Sequence, residues 1–207
     1  VTGSAVGRGT QSTGIYKGMA YGADLIFLKV GDDSTSGASE DAITAAVKDA
    51  VDIYNADIVT MSYGGFDTYN DGSEEICQAV DYAFSKGALV FMAVGNESDA
   101  KTHYTGTVAA RKKTKFIQVK VRRGVAILYF YLNWFDGKGV SNDLDLSLYD
   151  KNKKKISSKK ITIFREEESP RGTESELLFY NFYVSGPATY YLKVKNNSDN
   201  DQSFHIY

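Results

Sequence analysis

The hydrophobic pattern changes its period partway along the chain, and this change limits the possible folds more than any other feature. Up to about residue 100, short unbroken apolar runs alternate with stretches in which apolar residues recur every three or four positions. Unbroken runs are typical of strands covered on both faces, and the longer spacing is typical of amphipathic helices. From Lys115 onward, apolar and polar residues alternate, as in antiparallel strands with one wet face. Two kinds of structure are therefore expected.

The first part predicts a parallel α/β arrangement. The three expected strands are unbroken apolar runs, at Leu25–Leu28, Ile58–Met61 and Ala88–Val94. One helix should follow Ser39, a good N-cap residue, and a second should start near Ser73 and end at Lys86-Gly87. The second helix is expected to bury one face, formed by Ile76, Cys77, Val80, Ala83 and Phe84. Strands that alternate with helices favour right-handed crossovers and a parallel sheet.

The second part predicts an all-β antiparallel sandwich of jelly-roll type. About seven strands are expected, including Ile117–Val121, Val125–Trp134, Leu144–Tyr149, Glu176–Val184, Tyr190–Val194 and a last short one around Phe204 and Ile206. Glycine, proline, aspartate and asparagine cluster between these runs and mark turns. Short strands at this spacing are typical of two packed antiparallel sheets.

Charge divides the chain in the same place. Residues 1–105 carry 6 basic and 15 acidic side chains, whereas residues 106–207 carry 18 and 11, so an acidic part precedes a basic part in a chain of net charge −2. The charge change and the period change together predict two domains, at 1–105 and 106–207.

Composition excludes several classes of protein. No stretch approaches the roughly 18 consecutive apolar residues of a membrane helix, so no membrane contact is expected. The single cysteine, Cys77, cannot form an internal disulfide and has no histidine or cysteine nearby in sequence. We interpret it as a small buried apolar residue.

The carboxyl ends of the predicted parallel strands are where a ligand is expected. The three loops there are Gly31–Gly37, Ser62–Gly65 and Gly95–Ser98. Glycine lets a backbone approach a bound chain closely, but it also follows strands simply to make a turn. Both interpretations of these loops stay open on composition alone.

Four segments in a fixed order favour the interpretation that these loops bind a ligand. They are Val1–Ala5, Gly18–Leu25, Asp57–Gly65 and Gly87–Asn96. In order and spacing they resemble the middle of the subtilisin-like serine proteases (subtilases, peptidase S8 type). The first resembles the residues that follow the family's catalytic histidine box, and the last resembles the strand that ends in its oxyanion-hole asparagine.

The resemblance implies roles for individual residues. Asn96 would be the catalytic oxyanion donor, a group that contributes on the order of 3 kcal/mol to lowering the barrier of acyl transfer. An asparagine chosen for a turn after Gly95 is the plainer interpretation. The implied substrate-binding residues comprise two cleft edges and a pocket: Ser36 and Gly37; Ser62, Tyr63 and Gly64; and Ala93, Val94 and Gly95.

The chain also departs from the family pattern. The catalytic Asp and His would lie before Val1, and the segment that holds the nucleophilic serine does not occur. His103 and His205, the two histidines, lie in no family motif. The resemblance therefore implies that the chain is an excised piece of a secreted endopeptidase, and that the parent enzyme acts on protein or peptide substrates. The piece alone would be inactive, and its exposed surfaces would favour self-association.

The basic part resembles the jelly-roll domains found beside secreted peptidases, at Asn142–Asp150 and Gly186–Val194. We expect it to be inserted between Asn96 and the serine. Calcium at Asp143 and Asp145 is conceivable, but calcium needs about six to eight oxygens and strand alternation supplies few, so no metal or cofactor is expected.

Two lysine-rich runs, Arg111–Lys115 and Lys151–Lys160, match no nucleic-acid motif, so nucleic-acid binding is not expected. Tyrosines beside lysines, at Tyr149, Tyr183 and Tyr191, could hold a protein or glycan. The alternative function is a non-catalytic protein- or glycan-binding module with a degenerate protease-like half.

Overall fold

A computed structural model describes residues 2–34, 37–65, 68–96, 100–122, 127–165, 168–181 and 186–207. The chain divides into two compact units. The helical unit comprises Val1–Gly65 and Glu75–Gly95, and the β-rich unit comprises Phe66–Glu74 and Asn96–Tyr207. Each unit is therefore built from two separate stretches of sequence. No helix within the described ranges is both long enough and apolar enough to cross a membrane.

The helical unit contains both predicted helices. Its elements are α1 Thr2–Val6, a 3₁₀ turn at Thr10–Ser12, α2 Glu40–Asp52, β1 Ile58–Met61, α3 Glu75–Ser85 and β2 Leu89–Met92. The start of α2 confirms the prediction, because the Ser39 side chain accepts a hydrogen bond from the Ala42 amide at 3.2 Å. Ile43, Val47 and Val51 are buried on the face of α2 that packs in the core of this unit.

Helix α3 is rotated relative to the expected face. Ala79 and Ala83 are fully buried, whereas Phe84 is 68% exposed and Cys77 is only partly buried. The expected burial of Ala83 is confirmed, that of Phe84 is wrong, and Cys77 is buried only in part, because small alanines four residues apart form the stripe that packs in this core. The helix ends at Ser85, and Gly87, the predicted stop residue, follows with a left-handed φ of 95°.

The sheet of the helical unit has two parallel strands among the described residues rather than the predicted three. β1 pairs with β2 in register from Ile58–Leu89 to Met61–Met92. The run Leu25–Leu28 does not form a strand, and Leu25 and Phe27 are 56% and 72% exposed. An apolar run becomes a strand only where a neighbouring strand takes its backbone hydrogen bonds, and this run has no such neighbour in the described part.

The β-rich unit contains eight strands among its described residues. They are β3 Tyr104–Val108, β4 Ile117–Val121, β5 Ile127–Phe135, β6 Leu144–Tyr149, β7 Ile161–Arg165, β8 Thr173–Asn181, β9 Ala188–Asn196 and β10 Gln202–Ile206. They form a five-stranded sheet in the order β3-β10-β5-β8-β7 and a three-stranded sheet in the order β4-β9-β6. Every pairing in both sheets is antiparallel. The antiparallel, β-rich character of the second part is confirmed.

Both sheets contribute to one hydrophobic core. Leu132, Leu178 and Phe204 come from the five-stranded sheet, and Leu144 and Leu192 come from the three-stranded sheet, all nearly fully buried. Predicted alternation is confirmed in β6, where every second side chain is buried. The sequence did not predict β3 and β7. Segments 123–126 and 182–185, which hold the ends of two predicted strands, lie outside the described residues.

A short segment from between β1 and α3 packs within the β-rich unit, and we call residues 68–74 the anchored loop. The Thr68 carbonyl accepts hydrogen bonds from the Ser175 hydroxyl at 2.9 Å and from the Asn133 side-chain amide. The Asp71 carboxylate accepts one from the Ser169 hydroxyl at 2.6 Å. This placement was not predicted, and the domain boundary after residue 105 stays a prediction.

Candidate functional site

The two parallel strands bring two of the predicted substrate-binding segments to the same edge of the sheet. Ser62, Tyr63 and Gly64 follow β1, and Ala93, Val94 and Gly95 follow β2. Because the strands are in register, their carboxyl ends coincide. The Ala93 amide donates a hydrogen bond to the Met61 carbonyl at 3.1 Å, so the two segments still run side by side one residue beyond the strands.

Gly64 lies close to the segment that follows β2. A Cβ atom there would lie 3.6 Å from the Ala93 carbonyl oxygen, which is ordinary van der Waals contact. Ser62, Gly64 and Ala93 are exposed, and Val94 is fully exposed. These residues therefore form an exposed edge where the two segments leave the sheet.

The loop before α2, which contains the other predicted cleft edge, is tied to the end of β1. The Tyr63 hydroxyl accepts a hydrogen bond from the Ala38 amide at 2.8 Å and donates one to the Ala38 carbonyl at 3.2 Å. The loop is closed internally by a bond from the Asp32 amide to the Gly37 carbonyl at 2.8 Å. Gly37 thus lies beside the residue held by Tyr63, whereas Ser36 lies outside the described residues.

An open cavity of about 560 Å³ lies along this loop. Its walls are formed by the two sides of the loop, at Val30, Gly31, Asp32, Gly37, Ala38 and Ser39. Because backbone groups and short side chains dominate these walls, the cavity can receive an extended backbone.

Gly95 redirects the chain where it leaves β2. It adopts a left-handed φ of 91°, which favours glycine, and Asn96 follows it as an exposed residue. The side-chain amide of an asparagine is a group that can donate a hydrogen bond to an oxyanion. The catalytic role of Asn96 stays a prediction.

The two histidines form a pair within the β-rich unit, although sequence reasoning gave them no role. His103 Nε2 and His205 Nδ1 are 3.0 Å apart, and the ring planes differ by 12°. The Tyr207 ring stacks on His103 with centroids 4.5 Å apart. Burial lowers the pKa of His205, and the charge of a protonated His103 lowers it further. The pair therefore favours a neutral imidazole at His205.

The acidic residues considered for calcium hold an arginine instead. Arg165 contacts Asp143 at 2.9 Å, Asp145 at 2.5 Å and the buried Glu176 at 3.2 Å. The side-chain amide of Asn197 donates to Asp143 and Asp145, each at 2.8 Å. The described residues contain no group of three or more histidine, cysteine or acidic side chains that could hold a metal.

Glu176 is the deepest member of this cluster, at 1% exposure. Burial raises the pKa of its carboxyl group, while the Leu146 amide and Arg165 oppose that rise. The Leu146 amide donates to Glu176 Oε1 at 2.7 Å. The cluster therefore joins β6, β7 and β8 in the β-rich unit.

Comparisons with known proteins bear on these predictions. A family model described as the subtilase family matches residues 1–119. A subtilisin from Bacillus sp. (strain TA39) is 33% identical over 130 residues, which cover 60% of this chain and 30% of that protein. Thermitase from Thermoactinomyces vulgaris is 33% identical over 102 residues, which cover 49% of this chain and 34% of that protein. The chain thus spans about a third of each of these relatives.

A solved structure is similar over most of the chain. The structure of the Clostridium perfringens CspB protease matches with a TM-score of 0.63 and 16% sequence identity. The match covers 92% of this chain and 45% of that one. It supports the fold in both units.

Proposed function

Because this chain belongs to the subtilase family, we propose that it is part of a secreted serine endopeptidase whose Ser/His/Asp triad lies outside these residues. The observation that carries the proposal is the in-register edge formed by β1 and β2. Ser62–Gly64 lie beside Ala93–Gly95, and all of these residues except the half-buried Tyr63 are exposed. An extended peptide can pair with such segments as an added strand.

We assign the substrate to the space between two edges. Ser62, Tyr63 and Gly64 would form one edge. Gly37 would belong to the other edge, and Ser36, which lies outside the described residues, is assigned to it by the family resemblance alone. The Tyr63–Ala38 hydrogen bonds support this assignment because they tie the second edge to the first. Ala93, Val94 and Gly95 would line the pocket for the residue before the cut. These roles depend on backbone groups, so they tolerate varied side chains.

Asn96 would stabilise the oxyanion. When the nucleophile attacks the scissile carbonyl, negative charge develops on its oxygen, and a fixed amide donor stabilises that charge most in the transition state. The position of Asn96 in the sequence supports this role, because Asn96 directly follows Gly95, the last residue of the segment after β2.

The β-rich unit would be an accessory jelly-roll domain inserted ahead of the catalytic serine. The chain alone would be inactive, because without a base and a nucleophile only residual stabilisation of the transition state is left.

Active-site labelling tests the proposal. The parent polypeptide, produced with its flanking sequence, is treated with a fluorescent fluorophosphonate that reacts with activated serines. We expect labelling at one serine that follows the β-rich unit in sequence, and loss of labelling when that serine is changed to alanine. This chain alone should stay unlabelled. A folded parent that takes up no label would overturn the proposal and favour the non-catalytic binding module.

A further inference from the structure

The outer face of the three-stranded sheet carries a concentration of positive charge. On β9, Lys193 and Lys195 alternate with the buried Leu192 and Val194, so the lysines point away from the core. These two lysines line a cavity of about 360 Å³ together with Lys113 and Lys155. We call the four lysines the lysine face.

The described lining of this cavity carries a net positive charge, because it holds four lysines and one acidic residue, Asp145. The Asp145 carboxylate contacts Arg165 and Asn197. Among the described residues, none of the four ammonium groups lies within 4.0 Å of a carboxylate oxygen. Like charges that line one cavity attract the same anion, and salt screens that attraction over a Debye length of about 8 Å at physiological ionic strength.

Phe116 contacts one ammonium group of the lysine face, that of Lys193, and also that of the neighbouring Lys153. Lys193 Nζ lies 4.3 Å from the centroid of the Phe116 ring, and Lys153 Nζ lies 5.1 Å from the same centroid. Phe116 is in turn packed edge-to-face against Tyr149 and Tyr191, at 5.1 and 5.7 Å. The cation–π contacts restrict lysine side chains that would otherwise be mobile.

The same contacts restrict the kind of ligand. A stacking platform for nucleobases needs free aromatic faces. Here lysines cover Phe116, and Lys153 also lies 5.5 Å from the Tyr191 centroid. The surface therefore presents ammonium groups rather than uncovered aromatic faces. Such a surface suits small anionic groups on a flexible chain.

We propose that the lysine face binds an acidic stretch of polypeptide through its glutamate and aspartate carboxylates. The proposal rests on the proposed peptidase function only where it identifies that polypeptide as a substrate. Binding there would raise the local concentration of acidic substrates without taking part in bond cleavage.

A binding assay on this chain tests the proposal without any need for catalysis. The probe is a fluorescein-labelled oligoglutamate peptide, followed by fluorescence anisotropy at low and high salt. We expect saturable binding that weakens as salt rises. The double variant Lys155→Gln/Lys195→Gln should bind roughly tenfold more weakly, since each lost contact removes a modest share of the affinity.

The matched control is Lys159→Gln/Lys160→Gln, which removes the same charge from exposed lysines outside the cavity lining. It should bind like the unchanged chain. Equal weakening in both double variants, or no saturable binding at all, would overturn the proposal. Lys193→Gln provides a further test, with thermal unfolding measured alongside because Lys193 contacts Phe116.

Competition identifies the ligand class. Unlabelled oligoglutamate should displace the probe at lower charge concentration than heparin or single-stranded DNA. Displacement by heparin or DNA at a much lower charge concentration would assign the face to a polysaccharide or nucleic acid and overturn the proposal. If the peptide binds but the parent takes up no fluorophosphonate, the lysine face stands and the peptidase function fails.

Discussion

The Tyr63 hydroxyl is hydrogen-bonded to both backbone polar groups of Ala38, accepting from the amide at 2.8 Å and donating to the carbonyl at 3.2 Å. The two residues are 25 positions apart in sequence. Tyr63 follows β1 and Ala38 precedes α2, so one side chain sets the spacing between two segments proposed to hold a peptide. Loss of this hydroxyl should make the loop before α2 more mobile, while the helices and strands of the unit stay intact.

Tyr63→Phe should speed amide hydrogen exchange at Gly37–Ser39 by about fivefold, because a lost hydrogen bond of this kind costs about 1 kcal/mol. The measurement is hydrogen exchange followed by NMR or mass spectrometry. Tyr54→Phe is the control, since Tyr54 is an exposed tyrosine of the same unit. Unchanged exchange at Gly37–Ser39 would show that Tyr63 does not hold this loop.

Asn96→Ala in the parent enzyme should lower kcat by about 10²–10³ with little change in KM, as expected for a donor that acts mainly in the transition state. Steady-state kinetics with a peptide substrate measures both constants. Asn152→Ala, at an exposed turn of the β-rich unit, should leave both unchanged. A loss confined to KM would contradict the oxyanion role.

Arg165→Met should lower the free energy of unfolding by about 3 kcal/mol near neutral pH, because it leaves the buried Glu176 carboxylate without its cation. Burial raises the Glu176 pKa, and the loss of Arg165 removes a group that opposes the rise. The folded variant therefore favours the protonated carboxyl. The part of the loss that depends on the Glu176 charge should be absent near the usual glutamate pKa of 4.5, and it should grow as pH rises through the raised pKa that Glu176 has in the folded wild type.

Urea unfolding of the wild type and Arg165→Met at acidic and neutral pH measures this difference. The double variant Arg165→Met/Glu176→Gln should recover most of the loss, since glutamine keeps an acceptor for the Leu146 amide. A loss equal at both pH values would show that packing of the arginine stem, rather than its charge, matters.

His205→Gln should flatten the dependence of stability on pH in mildly acidic solution. Burial and the His103 charge lower the His205 pKa below its usual value of 6.5, so the folded chain disfavours protonation. Stability should fall as pH drops below about 6.5 and continue to fall down to the lowered folded pKa.

Thermal unfolding across this range compares the wild type with His205→Gln. His103→Gln should reduce the slope only partly, because burial is the larger cause of the shift. If stability fell with decreasing pH equally steeply in the wild type and in His205→Gln, His205 would not be the source of the pH dependence.

Self-association of this chain, produced alone, should depend on the bare face of the two-stranded sheet. Ile58, Leu89 and Phe91 are 59%, 50% and 58% exposed. Ile58 pairs with Leu89, so the three side chains form one apolar patch. Phe91→Glu should lower the mass measured by light scattering at high concentration. The control variant Phe84→Glu, at an exposed site on α3, should leave the measured mass unchanged. A wild-type chain that is monomeric at high concentration would contradict the prediction.

Sequence alone predicted the features that depend on neighbours along the chain. The Ser39 cap, the buried face of α2 and the alternation in β6 follow from residues a few positions apart. It failed where a distant partner decides the outcome. Leu25–Leu28 has strand-like residues without a neighbouring strand, whereas β3 has a weak pattern, Tyr-Thr-Gly-Thr-Val, and becomes a strand by pairing with β10.

The candidate site shows the same division. The segments after β1 and β2 could be found because their residues resemble a family pattern in order and spacing. The Tyr63–Ala38 bonds and the His103–His205 pair could not be found, because each joins side chains or loops that meet only in the folded chain.

The anchored loop has a consequence for synthesis on the ribosome. Residues 68–74 are made well before β5 and β8, which carry the Asn133 and Ser175 side chains that hold Thr68. β3, the first strand of the β-rich unit, pairs with β10, the last. The helical unit also contains residues on both sides of the loop. The anchored loop therefore emerges before the strands that bind it have been synthesised. The pairing of β3 with β10 in the β-rich unit can form only after β10 has left the ribosomal exit tunnel.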